Sequence, residues 1–217
     1  MLNFSLLYDS FVATIIMVFV SAFVAILFGV PIGVGLTVTA KGQFLEHSFI
    51  HKILNIIVTI GRSIPFVILM IAIIPFTRFI VGTSIGTMAS IVPLAIAAVP
   101  YFARLVEGKF KVIHFGIIEA ALSMGLSPAQ IIFKVLLPET FPGLLNATTI
   151  LCVSLTEYSA MAGAVGGSGL GNMAIQYGYY QYNTPVLLQA VTALIILVLI
   201  LQFVGDFFTK KISRVIR

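Results

Sequence analysis

The sequence predicts an all-α membrane protein with five transmembrane helices, and three observations carry that prediction. Apolar residues make up 60% of the 217 positions and charged residues 9%, with a mean hydropathy of +1.16. A soluble domain carries about a quarter charged residues, so this chain has too little polar surface to coat a water-soluble globule. That excludes a cytoplasmic enzyme, a disordered chain and a free-standing nucleic-acid binder. Second, the apolar residues gather in runs of the length, about 20 residues, that crosses a bilayer core. Third, the basic residues collect in alternate connections between those runs.

Ser10 to Ala40 carries no charge, and the first span is placed at about 11–38. Pro31, Gly33 and Gly35 are expected to bend or loosen its far end, which membrane helices tolerate. The first 40 residues lack the basic start and small-residue cleavage site of a signal peptide, so they read as a retained membrane segment. Lys41 to Lys52 is polar and holds Glu46, His47 and His51. The second span runs over about 53–75, interrupted by Arg62 and by a helix break at Arg62-Ser63-Ile64-Pro65. Phe76 to Thr83 reads as a short turn, and the third span covers about 84–103. Arg104 to Glu139 is too polar to span. The fourth span is about 143–165, an uncharged Gly-, Tyr- and Asn-rich connection covers 166–185, and the fifth span is about 186–205. Asp206 and the basic tail follow. All of 1–217 reads as a single transmembrane domain without an internal repeat.

Five spans place the termini on opposite sides. Lys41, Lys52, Arg104, Lys109, Lys111, Lys134, Lys210, Lys211, Arg214 and Arg217 fall on one side, and only Arg78 falls on the other. By the positive-inside rule the N-terminus faces out, and the 104–139 segment and the C-terminus face the cytoplasm.

Within that segment, Glu119 to Met124 is expected to form a short helix capped by Gly125, where a left-handed residue is needed. Ser127 and Pro128 read as the N-cap and first position of a second helix. That helix carries Ile131, Ile132, Val135 and Leu136 at helical spacing and is expected to end at Pro138. The result is two short helices joined at a tight corner. Small Ala120 and Ala121 beside the Gly125 corner would allow close approach of a partner.

Glu119-Ala120-Ala121, three residues, Gly125, nine residues, Val135, one residue, then Leu137-Pro138 resembles the Glu-Ala-Ala signature of ABC-importer permeases, with Val135 in place of the usual Ile. The resemblance implies that Glu119, Ala120, Ala121, Gly125 and Pro138 belong to a coupling helix that seats on an ATPase subunit. The chain holds no Gly-x-x-x-x-Gly-Lys-[Ser/Thr] phosphate-binding loop of its own. Further strings resemble the methionine-import branch of that family. They are Arg62-Ser63-Ile64-Pro65-Phe66, Ile74-Pro75-Phe76-Thr77-Arg78, Tyr158-Ser159-Ala160-Met161 and Gly163-Ala164-Val165-Gly166. Gly169-Leu170-Gly171 and Gln176-Tyr177-Gly178-Tyr179 belong with them. The resemblance implies a type I importer fold in a bacterial inner membrane. It also implies two copies of this chain, two cytoplasmic ATPases carrying ATP and Mg, and an external substrate-binding protein.

Glu157 stands where that family pattern leads one to expect Gly. A carboxylate within a span costs roughly 2.5–3.5 kcal/mol on insertion scales. Glu157 lies about 20 Å along its span from the cytoplasmic start and Arg62 about 14 Å along its own, at 1.5 Å per residue. Two readings follow: the two charges line a translocation path and meet the charged ends of an amino acid, or they pair with each other or with backbone freed at Pro65.

Other signals are weaker. Gly166 to Gly171 follows a membrane helix rather than a strand, so it reads as an external gate or a close helix contact and not as a dinucleotide loop. His47, His51 and His114 lack a carboxylate or thiol cluster, and no metal site is expected. Cys152 reads as a small packed thiol. Tyr177, Tyr179, Tyr180 and Tyr182 read as an interfacial aromatic belt, and the basic tail is expected against anionic lipid. No catalytic residue, cofactor or nucleic-acid partner is expected for this chain. The alternatives are a permease of the same class for another amino acid or a small cation, and an ion-coupled secondary carrier using Glu157. The absence of paired repeats speaks against the carrier.

Overall fold

A computed structural model describes residues 4–216, with side chains as far as Ser213. Arg217 and the side chain of Arg214, two of the expected basic-tail residues, lie outside the described residues. Among the described residues, four helices are long and apolar enough to cross a membrane: Phe4–Val38, Thr87–Phe110, Pro128–Ala164 and Thr184–Ser213. A bent pair among the described residues, Ser48–Ser63 and Phe66–Ala72, which meet at 97°, makes a fifth crossing if the two are taken as one span.

Helix α1 (Phe4–Val38) runs through Pro31 without interruption. Its buried face includes Ser21, Ala25, Gly29 and Gly33, a small residue at every fourth position. Such a ladder lets two backbones approach closely where water offers no driving force. The neighbour is α5 (Thr87–Phe110): a Cβ built on Gly33 would stand 2.6 Å from Val106 Cγ1 and 2.7 Å from the Ala103 carbonyl oxygen. Gly33 therefore serves close packing rather than the loosening expected of it.

The second expected span is not one helix. α2 (Ser48–Ser63) ends where Arg62-Ser63-Ile64-Pro65 breaks it, and α3 (Phe66–Ala72) sets off in a new direction. Pro65 cannot accept a helical predecessor without a clash, and Ile64 is extended at φ −87°, ψ 122°. The expected turn at 76–83 is instead helix α4 (Ile74–Val81), with Pro75 in its first turn and a left-handed Gly82 as its C-cap.

The boundaries of the polar segment also shift. Arg104 to Phe110 are the last turns of α5, because Arg104, Glu107 and Lys111 satisfy one another at helical spacing. At the other end Pro138 does not terminate the second short helix. α7 (Pro128–Ile131) passes through a π turn at Ile132–Leu136 into α8 (Leu137–Ala164). The wider turn bonds the Leu137 N–H to the Ile132 carbonyl, and so accommodates a proline that would clash in a regular helix.

The Gly- and Tyr-rich connection is also helical: α9 (Leu170–Asn172) continues as a π turn at Met173–Tyr179. It packs hard on α8. A Cβ on Gly163 would meet the Asn172 backbone, and one on Gly171 would meet the Ala160 backbone. The Leu170 N–H also donates to Thr14 Oγ1 on α1 at 2.9 Å. Tyr179, Tyr180 and Tyr182 are exposed there. α10 (Thr184–Ile216) closes the chain and keeps the described part of the tail helical. One core cluster joins α1, α5 and α8 through Met17, Phe102, Leu151 and Leu155, and Cys152 is buried in it.

Candidate coupling corner and path cleft

The corner is built from local signals. His114 opens α6 (Phe115–Ser123) by accepting the Gly116 N–H on Nδ1 at 3.2 Å. The helix closes at Gly125, whose φ is +75°. The Gly125 N–H donates to the Leu122 carbonyl at 2.9 Å and the Leu126 N–H to the Ala121 carbonyl at 3.2 Å. Those two bonds are the paired arrangement of a left-handed C-cap. Two residues on, Ser127 and Gln130 form a capping box: Ser127 Oγ accepts the Gln130 N–H at 3.4 Å, and Gln130 Oε1 accepts the Ser127 N–H at 2.8 Å. Both helix ends at the corner are thus satisfied, and the turn between them is fixed.

Glu119 and Ala120 are exposed on α6, and Met124 beside them is 71% exposed. Ala121 is not available to a partner. It is buried with Ile118, Ile131, Leu136 and Phe110, so its small size serves the inner packing of the corner. Pro138 lies in the first turn of α8, beyond the π turn. The corner therefore stands directly on the α8 span.

Arg62 lies at the end of α2 and lines a cleft of about 170 Å³ with Gly61, Ile64, Phe66, Tyr101 and Tyr158. Phe66 and Tyr158 stack there, with ring centroids 5.0 Å apart and planes 7° from parallel. Tyr101 Oη and Ser154 Oγ share a hydrogen bond of 3.1 Å. Glu157 is exposed on α8 and does not line the cleft. Of the alternatives for Arg62 and Glu157, a pair with each other is not formed within the chain: the ion pairs among the described residues are Arg104–Glu107 and Lys111–Glu107. Similar depth along two helices does not bring side chains together unless they also face each other.

Glu107, which no motif marked, is the buried charged side chain among the described residues. Its side chain is 3% exposed. Arg104 Nη1 reaches Glu107 Oε2 at 2.6 Å and Lys111 Nζ reaches Oε1 at 2.7 Å. The signal was present as Arg, Glu and Lys at i−3, i and i+4 on one helix. The histidines are also spoken for: His47 caps α2 by accepting the Ile50 N–H at 3.4 Å, and His51 Nδ1 bonds the Leu36 carbonyl at 3.0 Å.

Residues 29–217 match the family model for the binding-protein-dependent transport system inner membrane component. The chain is 48% identical to the probable D-methionine transport system permease protein MetI of Vibrio cholerae, over 98% of this chain and 95% of that one. It is 51% identical to the corresponding Escherichia coli K12 protein over 69% of each. A chain of the inward-facing MetNI methionine ABC transporter, native crystal form, superposes with a TM-score of 0.94 at 48% identity, covering 96% of this chain and 97% of that one. An amino acid ABC transporter crystallised with histidines shares the fold, with a TM-score of 0.76 at 20% identity.

Proposed function

The chain belongs to the family of binding-protein-dependent transport inner-membrane components, and on that premise we propose that it is the transmembrane subunit of an ATP-driven methionine importer. Methionine is supported by 48% identity over nearly the whole chain to a permease named for D-methionine. Two copies of the chain pair in the membrane, with the N-terminus outside and the basic end of the bundle in the cytoplasm. Two ATPase subunits bind there, and a substrate-binding protein docks outside. ATP and Mg²⁺ belong to the ATPase, since this chain carries no phosphate-binding loop. The chain itself does no covalent chemistry.

One observation supports the coupling reading above the rest: the capped corner at 124–127 continues through one helical rod, Pro128–Ala164, into the membrane. A push on Glu119, Ala120 or Gly125 is delivered to α8 as a rigid-body displacement. α8 carries Tyr158, so the displacement reaches the path cleft. Arg62 meets the carboxylate of the passing amino acid in the cleft, and Glu157, exposed on α8 outside the cleft, meets its ammonium group on the stretch of path beside it.

The test is uptake of radiolabelled methionine into proteoliposomes that hold this chain and its ATPase, with ATP inside and the binding protein outside. Uptake is expected to require ATP and to be lost in Glu119→Lys. Uptake that proceeds without ATP would overturn the proposal and favour an ion-coupled carrier.

A further inference from the structure

We infer that Arg104 is a positioning residue that clamps α2 to the basic half of α5, so that the two helices carry movement of the coupling corner to the Arg62 bend as one strut. The inference rests on the importer reading above.

The strut is visible as three successive levels of contact between antiparallel helices. At the basic end, Arg104 on α5 donates from Nη2 to Asn55 Oδ1 at 2.8 Å and to Thr59 Oγ1 at 3.3 Å on α2. Its other nitrogen holds buried Glu107 at 2.6 Å. In the middle, Val58 is 1% exposed and packs with Ala103 and with Leu36 of α1. At the far level Gly61 lies on Pro100: a Cβ built on Gly61 would stand 2.8 Å from Pro100 Cγ and 3.0 Å from Pro100 Cβ. Arg62 and the break at Pro65 follow at once.

The basic end of the strut meets the corner. Lys111 holds the second oxygen of Glu107, and its neighbour Phe110 is buried with Ile118 and Ala121 of α6. A displacement of α6 therefore bears on the end of α5. Apolar contacts alone would let α2 slide or roll along α5. Arg104 resists this because its planar fork has fixed donor directions, and it is itself fixed by a buried carboxylate. The alternative is that α2 swings on α5 as a separate gate. The two differ in what a covalent link between α2 and α5 would do.

The test uses the complete transporter with its ATPase and binding protein, in a Cys152→Ala background. Gly61→Cys with Pro100→Cys sets two Cβ positions 3.0 Å apart, so the helices must part by about half an ångström to reach the roughly 3.5–4.5 Å that a disulfide spans. Oxidised and reduced samples of the same variant are compared for methionine uptake per ATP hydrolysed. Equal ratios, within about twofold, are expected of a strut. A ratio that collapses on oxidation and returns on reduction would overturn it. Arg104→Met is expected to lower the ratio at least fivefold, with partial recovery in Arg104→Lys and more when the disulfide is added. Asn55→Ala with Thr59→Ala should lower it likewise without touching α5. An unchanged ratio in Arg104→Met would overturn the role of Arg104. Cross-link yield in the purified complex separates this from the parent reading, because it needs no transport. It should be the same with and without ATP and lower in Arg104→Met, even if the substrate proves not to be methionine. A yield that changes with nucleotide would overturn the strut.

Discussion

Gly33 of α1 meets Ala103 of α5 so closely that a Cβ at position 33 would stand 2.7 Å from the Ala103 carbonyl oxygen. The contact is backbone against backbone, so no rotamer change can relieve it. Gly33→Ala is expected to destabilise the bundle by about 1–3 kcal/mol, the usual cost of overpacking. Gly35→Ala is the control. Its nearest neighbour is the flexible Leu54 Cδ1 at 3.1 Å, and Ala is the better helix former. Thermal unfolding in detergent should separate the two variants, with Gly33→Ala melting lower.

Gly125 differs from Gly33 in kind. No atom lies within 4 Å of a Cβ built there, but its φ is +75°. Backbone strain, and not space, therefore sets the cost of a side chain, at about 1–2 kcal/mol. The strain falls on the corner alone. Gly125→Ala should leave thermal unfolding of the bundle nearly unchanged while lowering methionine uptake per ATP hydrolysed. Gly125→Asn should do less harm, since Asn tolerates the left-handed region.

Removal of Ser127 Oγ tests the other half of the corner. Ser127→Ala loses the capping box and about 1 kcal/mol of helix stability. Binding-protein stimulation of ATP hydrolysis should fall in this variant, and Ser127→Asp should restore it.

Residues that act on their immediate neighbours were legible in the sequence. The caps at Gly125 and Ser127 rest on bonds that reach no further than five residues, and Pro128 fits the first helical position by its own ring. The same holds for the break at Pro65. What stayed hidden depends on facing. Counted along their spans, Arg62 and Glu157 come out at comparable depths, but depth along a helix says nothing of the direction a side chain takes around it. Glu107 looked like one more charge in a polar segment, because nothing local showed that it faces inward or that Asn55 lies across from Arg104. The ladder Ser21, Ala25, Gly29, Gly33 was written plainly in α1. Beside Pro31 its last member reads equally well as a weak point, and only the position of α5 decides between the two.

Glu107 yields a stability prediction. Glu107→Ala removes a buried carboxylate and leaves two cations without their partner. Breaking a fully buried ion pair costs roughly 3–5 kcal/mol. The cost here should be smaller, because Arg104 is 30% exposed and Lys111 61% exposed, so water screens both. The expected result is a lower melting temperature than that of Lys111→Ala. Equal melting temperatures in the two variants would mean that Glu107 holds nothing in place.

Pro138 tests the link between corner and span. The π turn at Ile132–Leu136 adds one residue to the helical register just before this proline. A regular helix would set the Pro138 ring against the Lys134 carbonyl and would leave that carbonyl without a donor. Pro138→Ala restores the donor and removes the clash, so the regular helix competes with the wider turn. Regularising the turn would rotate α7 and the corner about the axis of α8, carrying exposed Glu119 and Ala120 to a new heading. The span should remain folded, because Leu151, Leu155 and Ala162 on α8 are fully buried and lie far beyond the turn. Unfolding should therefore be little changed while uptake per ATP hydrolysed falls severalfold. Cysteine cross-linking from position 119 to the ATPase is the direct measurement. If the turn sets the heading, cross-linking at 119 is lost in Pro138→Ala; if the proline is incidental, the yield stays at the level of the parent chain.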